Sequence, residues 1–234
     1  FMEAIILAGG FGTRLRHVVT DVPKPMAPMD DNGTPFLNVL LDKLMAAGFT
    51  RVILSTGYMR DKIRVYYGLK YGKLDVSYSE EETPLFTGGA IKKALRQCAK
   101  DSVFVLNGDT CFDVDFSQMR LLFQTSEADV VMAIKWMDDC SRYGTVERSG
   151  GRIVSFHEKL AQTKGWINGG CYCLKRELLE PEAEKFSFEK YMEDNIDKKK
   201  IVGYESGGFF IDIGVPEDYY MARKLYGIKP SGSV

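Results

Sequence analysis

Histidine is scarce in this sequence, with two among 234 residues. No Ser-His-Asp arrangement is visible, and the scattered cysteines and histidines show no zinc-ligand spacing. Neither a hydrolase triad nor a zinc centre is therefore expected. Cysteine is limited to Cys98, Cys111, Cys140, Cys171 and Cys173, an odd number without a C-x-x-C pair. These read as buried thiols of a reducing cytoplasm, and Cys171 and Cys173, two apart in an apolar run, share one face of a strand. Long hydrophobic runs are also lacking. Every apolar stretch falls far short of the ~18 residues needed to cross a bilayer, and no secretory leader is visible, so a cytoplasmic protein without a membrane partner is expected. An excess of one charge is missing as well: 31 Lys and Arg oppose 32 Asp and Glu, for a net charge of −1. No global field then favours nucleic acid, and any phosphate must be held by local groups.

What is present suits a globular α/β chain. Hydrophobic residues make up 45%, enough for a sizeable core. Short apolar runs alternate with helical patterns: strands at Ala4–Ala8, Arg51–Ser55, Asp75–Ser79, Ser102–Leu106 and Ala128–Lys135. Between them, helices are expected at Phe36–Ala47, Asp61–Tyr67, Thr87–Ala99 (with Thr87 as N-cap) and Phe116–Thr125. This alternation predicts a mainly parallel, Rossmann-like open sheet. From residue 143 strand-like runs follow one another, at Gly144–Glu147, Arg152–His157 and Ile167–Leu174, the first two joined by a turn at Ser149–Gly151. Short helices at Arg176–Leu179 and Ser187–Asn195, strands at Ile201–Glu205 and Phe209–Ile213, and a helix at Glu217–Tyr226 complete the pattern. The expected organisation is one domain over 1–228, with a strand–helix half over about 1–135, a β-rich half over 136–228, and a frayed tail over 229–234.

In an open parallel sheet, ligands bind beyond the carboxyl ends of the strands. The first strand ends in Leu7-Ala8-Gly9-Gly10-Phe11-Gly12-Thr13-Arg14-Leu15. Leu15 stands where a dinucleotide fingerprint needs its third glycine, and no Gly-Lys-Ser/Thr closes the loop as in a P-loop. Three glycines still allow backbone N–H groups to approach phosphate oxygens, and Arg14 adds a fork-shaped cation. Pro23-Lys24-Pro25 then holds a lysine on stiff, extended backbone. Together these oppose the charge of a triphosphate. Asn107-Gly108-Asp109 follows the fourth predicted strand, and Asp212 lies near the end of a late one. Each aspartate alone reads equally as a loop cap; together they can share a Mg²⁺ with substrate phosphates.

The string L-A-G-G-x-G-T-R-L followed by P-K-P resembles the signature of the sugar-1-phosphate nucleotidyltransferases. Tyr143-Gly144, Glu158-Lys159, Asn168-Gly169-Gly170 and Asp212-Ile213-Gly214 match that family in order, over nearly the whole chain. The likeness runs toward guanylyltransferases acting on manno-heptose or mannose 1-phosphate, and no added β-helix domain is expected. The resemblance implies catalytic roles for Arg14 and Lys24, and nucleotide binding by Leu7, Ala8, Gly9, Gly10, Gly12, Thr13, Glu80, Gly88, Asn107 and Gly108. It makes 1–135 the nucleotide-binding half and 136–228 the sugar-binding half, and places the sugar phosphate on Tyr143, Gly144, Glu158, Lys159 and Asn168, and Mg²⁺ on Asp109 and Asp212. A carboxylate among Glu80, Glu81 and Glu82 matches the adjacent N1–H and N2–H donors of guanine, which favours GTP over uracil or thymine nucleotides. Two departures stand out. Phe86 replaces a glycine, and Gly88 an alanine, of the usual P-L-G-T-A-G, while Arg16-His17-Val18-Val19 replaces P-L-T after the first loop.

The implied partners are GTP and a sugar 1-phosphate, and a homo-oligomer is compatible with the composition. A phosphate nucleophile is already ionised at neutral pH, so no general base is required. Two other readings fit parts of the chain: a non-catalytic sugar-nucleotide-binding subunit, and a glycosyltransferase using Asp113-Val114-Asp115 as a metal pair. The second leaves the Arg14 loop unexplained.

Overall fold

The structure, a computed structural model, describes residues 2–10, 12–157 and 164–227. In chain order the first half contains β1 (Met2–Ala8), α1 (Phe36–Ala46), β2 (Phe49–Thr56), α2 (Arg60–Tyr67), β3 (Lys70–Tyr71) and β4 (Leu74–Glu80). It continues with α3 (Phe86–Leu95), β5 (Ser102–Asn107), β6 (Thr110–Phe112), α4 (Phe116–Ser126) and β7 (Val130–Met137). The second half adds β8 (Thr145–Ser149), β9 (Arg152–His157), β10 (Gly165–Lys175), α5 (Phe188–Asp194), β11 (Ile201–Glu205), β12 (Phe210–Asp212) and α6 (Pro216–Tyr226).

Ten strands form one mixed sheet in the order β3-β4-β2-β1-β5-β10-β7-β11-β9-β8. The β4-β2-β1-β5 block is parallel, as the strand–helix alternation predicts, and so is the β7–β11 pair. The β-rich second half is continuous with this sheet, because β10 inserts antiparallel between β5 and β7. Period-two alternation along β1 sends Ala4, Ile6 and Ala8 into one core and Ile5 into the other, so both faces are covered. Cys171 and Cys173 both enter the first of these cores, opposite Leu106 and Phe104 of β5.

Local chemistry sets the helix ends. Asp115 caps α4 by accepting from the Ser117 and Gln118 N–H groups, and Pro216 opens α6 at a position where a missing N–H costs nothing. The Asp-x-Asp of Asp113 and Asp115 is thereby structural: Asp113 pairs with Lys43 and Asp115 serves α4. Two expected features differ. Residues 176–180 form turns rather than a helix, with Leu178 N–H donating back only to Lys175 O and Pro181 following. Helix α3 begins at Phe86 after an uncapped Leu85, because the Thr87 hydroxyl donates instead to Glu189 Oε2 (2.6 Å) and accepts from Phe188 N–H (2.9 Å). The two-residue β3 and three-residue β6 are too short to leave a periodic signal.

Candidate active site

Two cavities open side by side at the carboxyl ends of the parallel strands. The first, of about 440 Å³, is walled by the loop after β1: Gly9, Gly10, Gly12, Thr13 and Arg14. Leu7, Lys24, Asn107, Gly108 and Asp109 line it from below. Gly12 sits at φ +59°, the left-handed region that glycine enters without penalty, and a side chain there would lie 3.0 Å from Lys24 Cβ. The second cavity, of about 370 Å³, is lined by Tyr143, Gly144, Asn168 and Asp212, together with Phe156, His157 and residues of α5. Asn107 and Glu189 border both cavities.

The charged groups converge where the two spaces meet. Strands β6 and β12 pair antiparallel, setting Asp212 opposite Thr110, and Ile213 N–H donates to Asp109 O at 2.9 Å. This small sheet brings together two aspartates 103 residues apart (109 to 212) in sequence. Lys24 ion-pairs with Asp109, its own side chain largely buried. A methyl group at Gly214 would lie 2.8 Å from Asp212 Oδ1, 3.2 Å from Lys24 Nζ and 3.5 Å from Arg14 Nη2, so all three groups close on one point. Burial, and then the facing Asp109 charge, push the Asp212 carboxyl above its ordinary range; Lys24, the Gly214 N–H and Arg14 only partly oppose this. Such a site is short of positive charge. Among the described residues no third His, Cys, Asp or Glu completes a cluster. Two carboxylates with phosphate and water oxygens suit Mg²⁺, which takes few protein ligands.

Asn168 owes its place to a bulge. The β10–β7 register shifts between Asn168 and Tyr172, where Gly170 takes φ +68° and its N–H donates to Asn168 Oδ1 at 2.9 Å. The Asn168 amide donates in turn to the Tyr172 hydroxyl at 2.6 Å. Bulges of this kind re-aim one side chain beside a site.

Three expected nucleotide contacts fall elsewhere. Ala8 turns its side chain into the core. Glu80 pairs with Arg64 at 2.7 Å, outside the cavity wall, whereas Glu81 lines it. Glu81 Oε2 accepts from Leu85 N–H at 2.9 Å, and burial pushes its carboxyl upward. Gly88 donates its N–H to Phe186 O at 2.9 Å, as Gly89 does at 3.2 Å, so neither is left for a ligand. Of the sugar-side residues, Glu158 and Lys159 lie outside the described residues. Arg16 turns to the Tyr58 hydroxyl at 2.9 Å.

The family described as nucleotidyl transferase matches residues 3–227. The chain belongs to the nucleotidyl transferase family. It is 46% identical over 226 residues to the D-glycero-α-D-manno-heptose 1-phosphate guanylyltransferase of Aneurinibacillus thermoaerophilus, covering 95% of this chain and 97% of that protein. It is 43% identical over 222 residues to the protein of the same name from Campylobacter jejuni, covering 94% and 97%. The crystal structure of HddC from Yersinia pseudotuberculosis complexed with GMP-PN superposes with a TM-score of 0.83 at 35% identity, covering 97% of this chain and 100% of that one. As a member of that family the chain is an enzyme of nucleotidyl transfer, with the mixed α/β sheet of its structural neighbours. Glu189, Lys190 and Glu193 of α5 and its N-cap Ser187, which border the second cavity, carry no motif that would announce them in the sequence.

Proposed function

We propose that this nucleotidyl transferase joins GTP to D-glycero-α-D-manno-heptose 1-phosphate with Mg²⁺, releasing pyrophosphate and a GDP-heptose in the cytoplasm. The observation that carries the reading is the convergence of Arg14, Lys24, Asp109 and Asp212 at the junction of the two cavities. Identity of 46% and 43% to two heptose 1-phosphate guanylyltransferases supports the choice of sugar.

The triphosphate lies along the loop after β1, with Gly9, Gly10, Gly12 and Thr13 offering backbone N–H groups and Arg14 facing the pyrophosphate. Glu81, rather than Glu80, accepts from the guanine N1–H and N2–H groups. The sugar phosphate enters from the side of Tyr143, Gly144 and Asn168. One of its ionised oxygens attacks the α-phosphorus; the bond from that phosphorus to the bridging oxygen breaks, and pyrophosphate departs with the electron pair. No proton has to move, so no protein base is used. Lys24 holds the α-phosphate in line and Arg14 offsets charge on the leaving group. Asp109 and Asp212 would hold a Mg²⁺, which would supply further neutralisation of the phosphate oxygens.

Pyrophosphate release measured over a matrix of nucleoside triphosphates and sugar 1-phosphates tests this. GTP with the manno-heptose phosphate should give the highest kcat/KM. Turnover confined to UTP or dTTP refutes the guanine assignment, and a higher kcat/KM for mannose 1-phosphate refutes the heptose assignment.

A further inference from the structure

We propose that Phe86 is the stacking platform for the nucleobase. The inference rests on the nucleotide reading of the first cavity. Phe86 lines that cavity beside Glu81 and yet is 58% exposed, so its ring contributes little to the core. Its backbone sits at φ +60°, which an aromatic residue enters only at a cost. The position suits glycine, but an aromatic ring stands there.

The surroundings hold that strained geometry in place. Phe186 N–H donates to Leu85 O at 3.2 Å, and Phe186 O accepts from the Gly88 and Gly89 N–H groups. Thr87 is fastened to Glu189 and to Phe188 N–H. The segment before α5 is thereby zipped to the start of α3. Backbone strain persists only where neighbours over-determine it, and it gathers where a ligand is handled. Lys185 Nζ lies 4.8 Å from the Phe86 ring centroid, a cation–π contact that holds one face of the ring and leaves the other for a base. A ring fixed in advance loses little freedom when a base stacks on it. Glu81 then reads the edge of the base while Phe86 carries its face.

Three variants of the full chain decide the matter, with GTP binding measured by calorimetry and both KM values by pyrophosphate release. Phe86→Gly should weaken GTP binding about 10-fold and raise the KM for GTP to match. The same variant should leave kcat and the KM for the sugar phosphate unchanged, and its thermal midpoint at or above that of the parent. Phe86→Trp should keep the affinity and show tryptophan fluorescence quenched by GTP. Phe86→Leu, apolar but not aromatic, should follow Phe86→Gly. Parent-like GTP affinity in Phe86→Gly or in Phe86→Leu overturns the proposal, as does a loss in Phe86→Gly that falls equally on both substrates with a lower thermal midpoint. If the parent prefers another nucleoside triphosphate, only the guanine assignment fails; stacking tolerates any base, so the same variants are judged with that nucleotide. A parent that binds no triphosphate overturns both readings.

Discussion

At the scale of single residues the site divides into groups that bear charge and groups that hold shape. Arg14 is exposed, so Arg14→Ala removes charge without opening the core. Turnover should fall about 100- to 1000-fold, as for loss of one transition-state donor, with the thermal midpoint unchanged. Lys24→Ala should lower turnover as much, but for a second reason it should also lower the midpoint. Asp109 loses its ion-pair partner and is left facing the already strained Asp212 carboxyl. Added Mg²⁺ should therefore raise the midpoint more in Lys24→Ala than in the parent; equal shifts would detach Lys24 from the carboxylate pair. Glu81 makes a pH prediction. Its folded-state pKa is raised by burial, so the folded chain binds more protons than the unfolded one, and ionising Glu81 costs stability as pH rises. Glu81→Gln should melt higher than the parent at neutral pH, with the difference closing below about pH 4, under the unfolded carboxyl's own pKa. For the same reason the parent's KM for GTP should climb on acidification sooner than an ordinary carboxylate would dictate, a dependence that Glu81→Gln lacks.

At the scale of elements, the start of α3 is built by close approach. A methyl group at Gly89 would fall 2.2 Å from the carbonyl oxygen of Glu184 and 2.9 Å from Leu85 Cβ. Neither contact can yield by a side-chain rotation alone, since one partner is backbone. Gly89→Ala should cost about 1–3 kcal/mol in urea unfolding and part the segment before α5 from the loop that carries Phe86. Its KM for GTP should rise while the KM for the sugar phosphate moves less. This element also marks the boundary of what the sequence makes legible. Strand β1 and its glycine loop announce themselves, because an apolar run meeting three glycines has few other meanings. Asp109 and Asp212 are legible as strand-end carboxylates, although only the β6–β12 pairing makes them neighbours. The choice between Glu80 and Glu81 is not legible: it turns on where β4 ends, and one residue of register decides between the Arg64 side and the cavity. Gly88 misleads for a related reason, since its N–H is spent on a carbonyl nearly a hundred residues downstream (88 to 186) that no local pattern announces. The bulge that aims Asn168 is equally silent, written only as paired glycines that also read as a turn.

At the scale of the whole molecule, one sheet does the joining. Because β10 runs between β5 and β7, the strands that end under the first cavity and those that flank the second share hydrogen bonds, and the two cavities are fixed relative to each other. The five cysteines are distributed through this continuous body, and all are buried. Burial pushes Cys98 and Cys173 up to about 12, and Cys111 and Cys171 upward as well, so the reactive thiolate is suppressed at neutral pH. A thiol reagent then has to wait for the sheet to open. If the sheet unfolds as one cooperative unit, all five cysteines should label together, at the urea midpoint where far-ultraviolet circular dichroism is lost. Saturating GTP and Mg²⁺ should shift both transitions by the same amount, because a ligand bound only by the folded state stabilises the whole unit. Labelling of Cys171 and Cys173 at lower urea than Cys98 would instead make the β10 region a separate unit, and with it the alignment of the two cavities.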